Sequence, residues 1–162
     1  MLDHLSLLES LKVVCGFEAF EFEFPLNLRK LTLSCNDRTW SEISAIGKLP
    51  NLEVLKVRDS FVGEEWEMKE GEFCNLRCLE LSDLGFCRWT ASADNFPRLE
   101  KLDLHYCEAL EEAPSCLGEC STLEMIEVKG CSESAVCSVK QIGQEQLEMG
   151  NQGLKIIMRS YC

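Results

Sequence analysis

The chain has 162 residues, 46% of them apolar, and sets 28 Asp and Glu against 16 Lys and Arg for a formal net charge of −12. That length makes one domain of ordinary size, and the negative sign repels phosphate backbones and anionic lipid surfaces. No uncharged apolar run approaches the roughly 20 residues of a membrane span, so nucleic-acid binding, membrane-surface binding and transmembrane roles are excluded as first readings.

Along the chain a six-residue frame L-x-x-L-x-L, with Ile or Val allowed, recurs at Leu8/Leu11/Val13, Leu28/Leu31/Leu33, Leu52/Leu55/Val57, Leu76/Leu79/Leu81, Leu99/Leu102/Leu104 and Leu123/Ile126/Val128. The starts advance by 20, 24, 24, 23 and 24 residues, inside the leucine-rich-repeat period of about 20 to 29. An apolar residue stands three positions before most frames: Leu5, Leu49, Phe73, Phe96 and Cys120, with Phe24 displaced by one. Between frames, 41–46 predicts one or two helical turns, and Glu64 to Glu72 predicts a wet acidic stretch around Trp66. The frames stop near Cys131. The spacing of Val136, Val139, Ile142 and Leu147 then predicts an amphipathic helix over 134–148, with stops at Gly150 and Gly153 and an extended 154–158.

One repeat cannot bury its own apolar side, so each frame is expected to supply one strand of a parallel sheet, stacked on its neighbours. The expected fold class is an α/β leucine-rich-repeat solenoid: a curved parallel sheet, irregular or short-helical convex returns, repeats over 1–131 and a C-terminal cap over 132–162. Strand alternation turns the fourth and sixth frame positions inward and the third, fifth and seventh outward onto the concave face. The ninth positions, where Asn or Cys commonly satisfies backbone groups at the turn, read Gly16, Asn36, Ser60, Leu84, Cys107 and Cys131.

The concave face supplies the candidate interaction residues. Its fifth positions run Lys12, Thr32, Lys56, Glu80, Asp103 and Glu127, so charge changes sign along the sheet. Lys30 and Arg58 add to the basic end, while Lys101, His105 and Lys129 dilute the acidic one. Such an order steers partners and rejects wrong ones more than it adds affinity; polar side chains required on any exposed strand face would also produce it.

Other constellations carry less. Cys74 with Cys78, and Cys116 with Cys120, are C-x-x-x-C pairs, and His105 lies near Cys107. The repeat positions already account for most of these thiols, so no metal site is assigned. His4 or His105 as a base beside a cysteine lacks an orienting third group, and no catalytic residue is assigned. The glutamates of 64–72 lack the alternating Asp/Asn and Gly of a calcium loop and are expected to form a solvated face. Trp40, Trp66 and Trp89 fall in the returns, as packing residues or as exposed anchors.

The segments Leu49-Pro-Asn-Leu-Glu-Val-Leu-Lys-Val57, Phe96-Pro-Arg-Leu-Glu-Lys-Leu-Asp-Leu104 and Cys107-Glu-Ala-Leu-Glu-Glu-Ala-Pro114 resemble the repeats of intracellular plant nucleotide-binding leucine-rich-repeat immune receptors. The tail Ser134-Ala-Val-Cys-Ser-Val-Lys-Gln-Ile142, with Glu148-Met-Gly-Asn-Gln-Gly-Leu-Lys155, is similar to the C-terminus of the late blight resistance type of the nightshades. That resemblance implies a non-catalytic protein-interaction role in defense: recognition of a pathogen effector or a guarded host protein, and autoinhibition against the parent's own nucleotide-binding domain. ADP or ATP belongs to that other domain, because no G-x-x-x-x-G-K-[ST] loop occurs in this chain and no cofactor is expected in it. A stand-alone or truncated repeat scaffold binding a host partner is the alternative reading.

The eleven cysteines are odd in number, so at least one thiol stays free. The opening Met1-Leu-Asp-His-Leu5 has no basic region followed by a long apolar one, and no Asn-x-Ser/Thr acceptor occurs. Together these point to a reducing, cytoplasmic setting.

Overall fold

In the computed structural model, residues 7–15, 23–35, 39–59 and 63–159 are described. The expectations placed on His4, Leu5, Gly16, Asn36 and Ser60 lie outside them, as do the side chains of Cys15 and Cys35. Strands β1 (Ser10–Cys15), β2 (Lys30–Cys35), β3 (Val54–Arg58), β5 (Cys78–Ser82), β7 (Lys101–His105) and β8 (Met125–Lys129) each begin at the third position of a frame. A final strand, β9 (Lys155–Arg159), follows the helix α2 (Glu133–Glu148). These seven strands form one sheet in the order β1-β2-β3-β5-β7-β8-β9, every neighbouring pair parallel. The returns contain α1 (Trp40–Gly47) and two short strands, β4 (Glu65–Glu67) and β6 (Arg88–Thr90), which pair with each other as a second parallel sheet.

Register explains the core. Leu31, Leu55, Leu79, Leu102 and Ile126 stand opposite one another, as do Leu33, Val57, Leu81, Leu104 and Val128, and all ten are buried. The leading leucines 28, 52, 76, 99 and 123 are buried as well. At the outer end of the sheet, Leu11 and Val13 of β1 are covered only in part.

Backbone groups at both ends of each strand are satisfied by the neighbouring repeat. The second-position carbonyl of one frame accepts two N–H groups from the next: Arg29 O from Glu53 and Val54 (2.8 and 2.9 Å), Glu53 O from Arg77 and Cys78 (2.7 and 3.0 Å), Arg77 O from Glu100 and Lys101 (2.8 and 3.0 Å). The residue just before the frame reaches back one repeat, Asn51 Nδ2 to Leu26 O (3.1 Å), Asn75 Nδ2 to Pro50 O, and Thr122 Oγ1 to Leu99 O (2.7 Å). At the far end the eighth position turns left-handed, with φ of 61° at Asp59, 56° at Asp83, 55° at Tyr106 and 64° at Gly130. This aims the N–H of Asp59, Asp83 and Tyr106 at the seventh-position carbonyl of the following strand, at 3.1, 2.9 and 2.7 Å. The ninth-position cysteines serve the same edge: Cys107 Sγ donates to Leu81 O and Cys131 Sγ to Leu104 O.

The returns are packed by aromatics stacked at the same interval as the strands. Trp40 lies on Trp66 with centroids 4.7 Å apart, and Trp66 on Trp89 at 5.2 Å with planes only 7° apart. All three are buried, so they are packing residues and not surface anchors.

Two expectations are corrected. Of the acidic stretch, Glu64, Glu65, Glu67 and Glu70 are exposed, but Glu72 is 1% exposed and neither carboxylate oxygen has a hydrogen-bond partner among the described residues. The cause is local: Phe73 is left-handed (φ 59°) and donates its N–H to Gly47 O at 2.8 Å, which draws 72 and 73 onto the end of α1. In α2 the inward stripe ends at Gln146 and not at Leu147, which is 53% exposed. Ala135, Val139, Ile142 and Gln146 keep the three-to-four spacing of one helix face. Gln146 is tolerated inside because its Nε2 donates to Leu117 O and Cys120 O, both at 2.7 Å, and its Oε1 accepts from Asn151 at 2.8 Å. Ser132 caps α2 by accepting from Ala135 N (3.1 Å), and a Cβ on Gly143 would overlap Ile156 of β9.

Leu79→Asp or Leu102→Asp places a carboxylate in the middle of the buried rows at a cost of several kcal/mol or more, and loss of the circular dichroism melting transition is expected. Glu67→Lys, on an exposed position of β4, is expected to leave the melting curve within about 0.5 kcal/mol of the parent. Equal behaviour of the core and surface variants would reject the burial described for these rows.

Candidate functional site

The open face of the main sheet carries the candidate interaction residues in one of its rows and parts of two others. Lys12, Thr32, Lys56, Glu80, Asp103 and Glu127 stand opposite one another in continuous register, and the row ends at Ile157 of β9. Lys30 lies in the row on one side, with Val54, Cys78, Lys101 and Met125. Arg58 and His105 lie in the row on the other, with Ser34, Ser82, Lys129 and Arg159. Lys12 and Lys30 are exposed, while Thr32, Lys56, Arg58, Glu80, Asp103, His105 and Glu127 are half-buried between neighbouring side chains.

Much of the charge order is compensated within the sheet. Arg58 Nη2 lies 2.9 Å from Glu80 Oε2, bridging the point where the row changes sign. Glu127 is clasped from both sides, by Arg159 Nε on Oε1 at 2.6 Å and by His105 Nε2 at 3.2 Å from Oε2. The Arg159 hydrogen bond, then that of His105, holds the Glu127 carboxyl below its ordinary value. Asp103 has the weaker company of Lys101 Nζ at 3.6 Å. Burial pushes the Asp103 carboxyl above its ordinary value, and the charges of Glu127 and Glu80 add to that push. Among the described residues, Lys12, Lys30 and Lys56 have no ion pair, so the basic end is the part of the face with uncompensated charge.

Arg159 was not foreseen, because it lies on a strand without the leucine frame. Nor was the polar rim where the strands begin, formed by Arg29, Glu53, Arg77, Glu100 and Glu124 at the second frame positions. This rim lines an open groove of about 1170 Å³, and Arg77 Nε bonds Glu100 Oε2 there at 2.7 Å. The repeated Asn-Leu at 27, 51 and 75 was the available signal for its asparagines.

Cys74, Cys78, Cys87, Cys107, Cys116, Cys120, Cys131 and Cys137 are free. Among the described residues no cysteine belongs to a cluster of three metal-ligating groups. Cys107 and Cys131, ninth positions of adjacent repeats, interact as neighbouring thiols, which lowers the Cys131 thiol to about 7 and, with burial, raises that of Cys107. No described helix is long and apolar enough to cross a membrane.

The main sheet gains one parallel strand for each sequence frame and carries a polar open face. No family model matches the chain. One putative late blight resistance protein homolog of Solanum demissum is 39% identical over 113 residues, covering 68% of this chain and 9% of that protein. A second of the same description and organism is 37% identical over an alignment of 182 positions, covering 91% of this chain and 14% of the relative. A third is 38% identical over 138 positions, covering 82% and 10%. By this similarity the chain belongs to the plant resistance-protein family of the late blight resistance homologs. It spans only 9% to 14% of the length of these relatives.

The electrostatics make one residue on the face a liability. A carboxyl raised on folding weakens the native state once it is ionised; the penalty is absent below the unfolded pKa and fully present above the folded one. Asp103→Asn is therefore expected to raise the melting temperature at neutral pH in chelator-containing buffer. The advantage should vanish at a pH below the ordinary carboxylate range. A variant that melts lower than the parent at pH 7 would show the Lys101 contact to outweigh burial.

Proposed function

We propose that this chain is the C-terminal leucine-rich-repeat portion of an intracellular, cytoplasmic plant immune receptor, a non-catalytic solenoid whose concave face binds protein. Its partners in this reading are a pathogen effector or a guarded host protein, and, at rest, the nucleotide-binding domain of the full-length receptor. The solenoid reading is supported by register: the six framed repeats each place a strand beside the last with the same frame position opposite, so the face continues from one repeat to the next. The defense role is supported by relatives described as late blight resistance protein homologs, and their much greater length supports a place within a larger receptor. The helix α2 and strand β9, over the last framed repeat, fit the role of a terminal cap.

Docking on the basic end would use Lys12, Lys30 and Lys56, whose charge the sheet leaves uncompensated, whereas Arg58 is committed to Glu80. Lys30→Glu with Lys56→Glu thus probes an outside partner without breaking an internal pair. The double variant is expected to weaken partner capture by the isolated chain at least tenfold, about 1.4 kcal/mol, with unchanged melting. The loss should shrink as salt shortens the Debye length from roughly 8 Å. In a full-length receptor the same changes are expected to release signalling without a pathogen. A folded double variant that leaves both capture and resting state unchanged would move the interaction surface off this face.

A further inference from the structure

We infer that Asp103, His105 and Glu127 form a divalent-cation site on the open face, with the mixed imidazole and carboxylate donors that suit borderline metals such as Zn²⁺ or Co²⁺. Strand alternation puts Asp103 and His105, two residues apart on β7, on the same face, and register sets Glu127 of β8 directly opposite Asp103. One ligand atom from each lies within 4.8 Å of the others, and all three side chains are half-buried, so each starts from a restricted position.

What the neighbours do to the two carboxylates makes this more than a charged cluster. Arg159 holds Glu127 by Oε1 and leaves Oε2 turned to His105 Nε2 at 3.2 Å. An imidazole nitrogen and a carboxylate oxygen facing each other with a proton between them are two ligands of a cation that replaces the proton. Asp103 supplies the third. Its Oδ2 faces Lys101, but its Oδ1 is buried with no hydrogen-bond partner among the described residues. A desolvated anionic oxygen without a donor is costly, and a bound cation removes that cost. Arg159 would act behind the site, fixing the rotamer of Glu127, as outer hydrogen bonds do at metal centres. Three protein ligands leave coordination positions open to water or to a partner's side chain. A bound cation would also staple β7 to β8 and cancel the two negative charges at that end of the face.

The cysteines require a probe that reports its own donors. Titration of the intact, reduced chain with Co²⁺ meets this need, because thiolate ligation adds intense near-ultraviolet charge-transfer bands that nitrogen and oxygen donors lack. The expected result is saturable binding of one Co²⁺ per chain with ligand-field bands only. Asp103→Asn and His105→Gln should each weaken it at least tenfold, while Cys78→Ser, the thiol on the same face, leaves it unchanged. Melting curves establish that each variant is folded, and Glu127→Gln replaces any that is not. No saturable binding, binding accompanied by thiolate charge transfer, or affinity unchanged in the folded Asp and His variants would each overturn the assignment. The wild-type spectrum decides the donor type independently of any variant.

Discussion

The in-register parallel ladder is the constraint on which the rest of this structure depends. Parallel strands stand about 4.8 Å apart, and when the register advances by a whole repeat, every frame position lies beside its own equivalent. The same spacing that stacks Leu55 on Leu79 and Leu102 also allows Asn75 to reach the Pro50 carbonyl and Asp83 to donate to His105 O. It extends into the returns, where Trp40, Trp66 and Trp89 pack face to face at 4.7 and 5.2 Å, an interval set by the repeat and well suited to offset aromatic stacking. A single residue inserted within a frame would therefore disturb the leucine rows, the carbonyl-capping side chains and the left-handed turn together.

The ladder imposes a cost on the open face that it does not impose on the core. Stacking equivalent positions is favourable for leucine but places like charges next to one another, as at Glu80, Asp103 and Glu127. The sheet answers with partners drawn from the neighbouring row, Arg58 for Glu80, and Arg159 with the His105 ring for Glu127. Asp103, in the middle, has only the longer Lys101 contact, and burial, with the charges of Glu127 and Glu80 added, raises its carboxyl. The basic end shows no such internal compensation among the described residues. Self-repulsion there is relieved by exposure at Lys12 and Lys30 and by Thr32 interposed in the row between Lys12 and Lys56. The two ends of one face thus differ less in amount of charge than in how far that charge is spoken for.

What was legible in the sequence was whatever the repeat dictates. Leu79 and Leu102 in the core, Glu80 and Asp103 outside, and the cysteines at position nine follow from counting within the frame, because strand alternation has a period of two and needs no tertiary knowledge. Features that depend on one element meeting another were not legible. Glu72 belongs to an acidic run and reads as solvated, yet the turn at Phe73 folds it against Gly47. Gln146 reads as a surface glutamine, but the carbonyls of Leu117 and Cys120 give it buried partners that no local pattern announces. The pairing of β4 with β6 escapes for the same reason, since each is three residues long and gains its regularity from the main sheet beneath.

The strand β9 continues the ladder without the leucine frame. β9 reads Lys155-Ile-Ile-Met-Arg159 and lacks the leading leucine, yet Lys155 N donates to Glu124 O at 2.9 Å, continuing the bond made at every earlier step. Its inward side differs: Ile156 is partly covered, whereas Met158, opposite buried Val128, is 37% exposed. The helix α2 packs against residues 115–119 and against β9, and its Gly143 admits Ile156. Outside, β9 contributes Ile157 to the charged row and Arg159 to the row beside it. β9 thus sets an uncharged residue beside the acidic series, and its Arg159 pairs with the neighbouring carboxylate of Glu127.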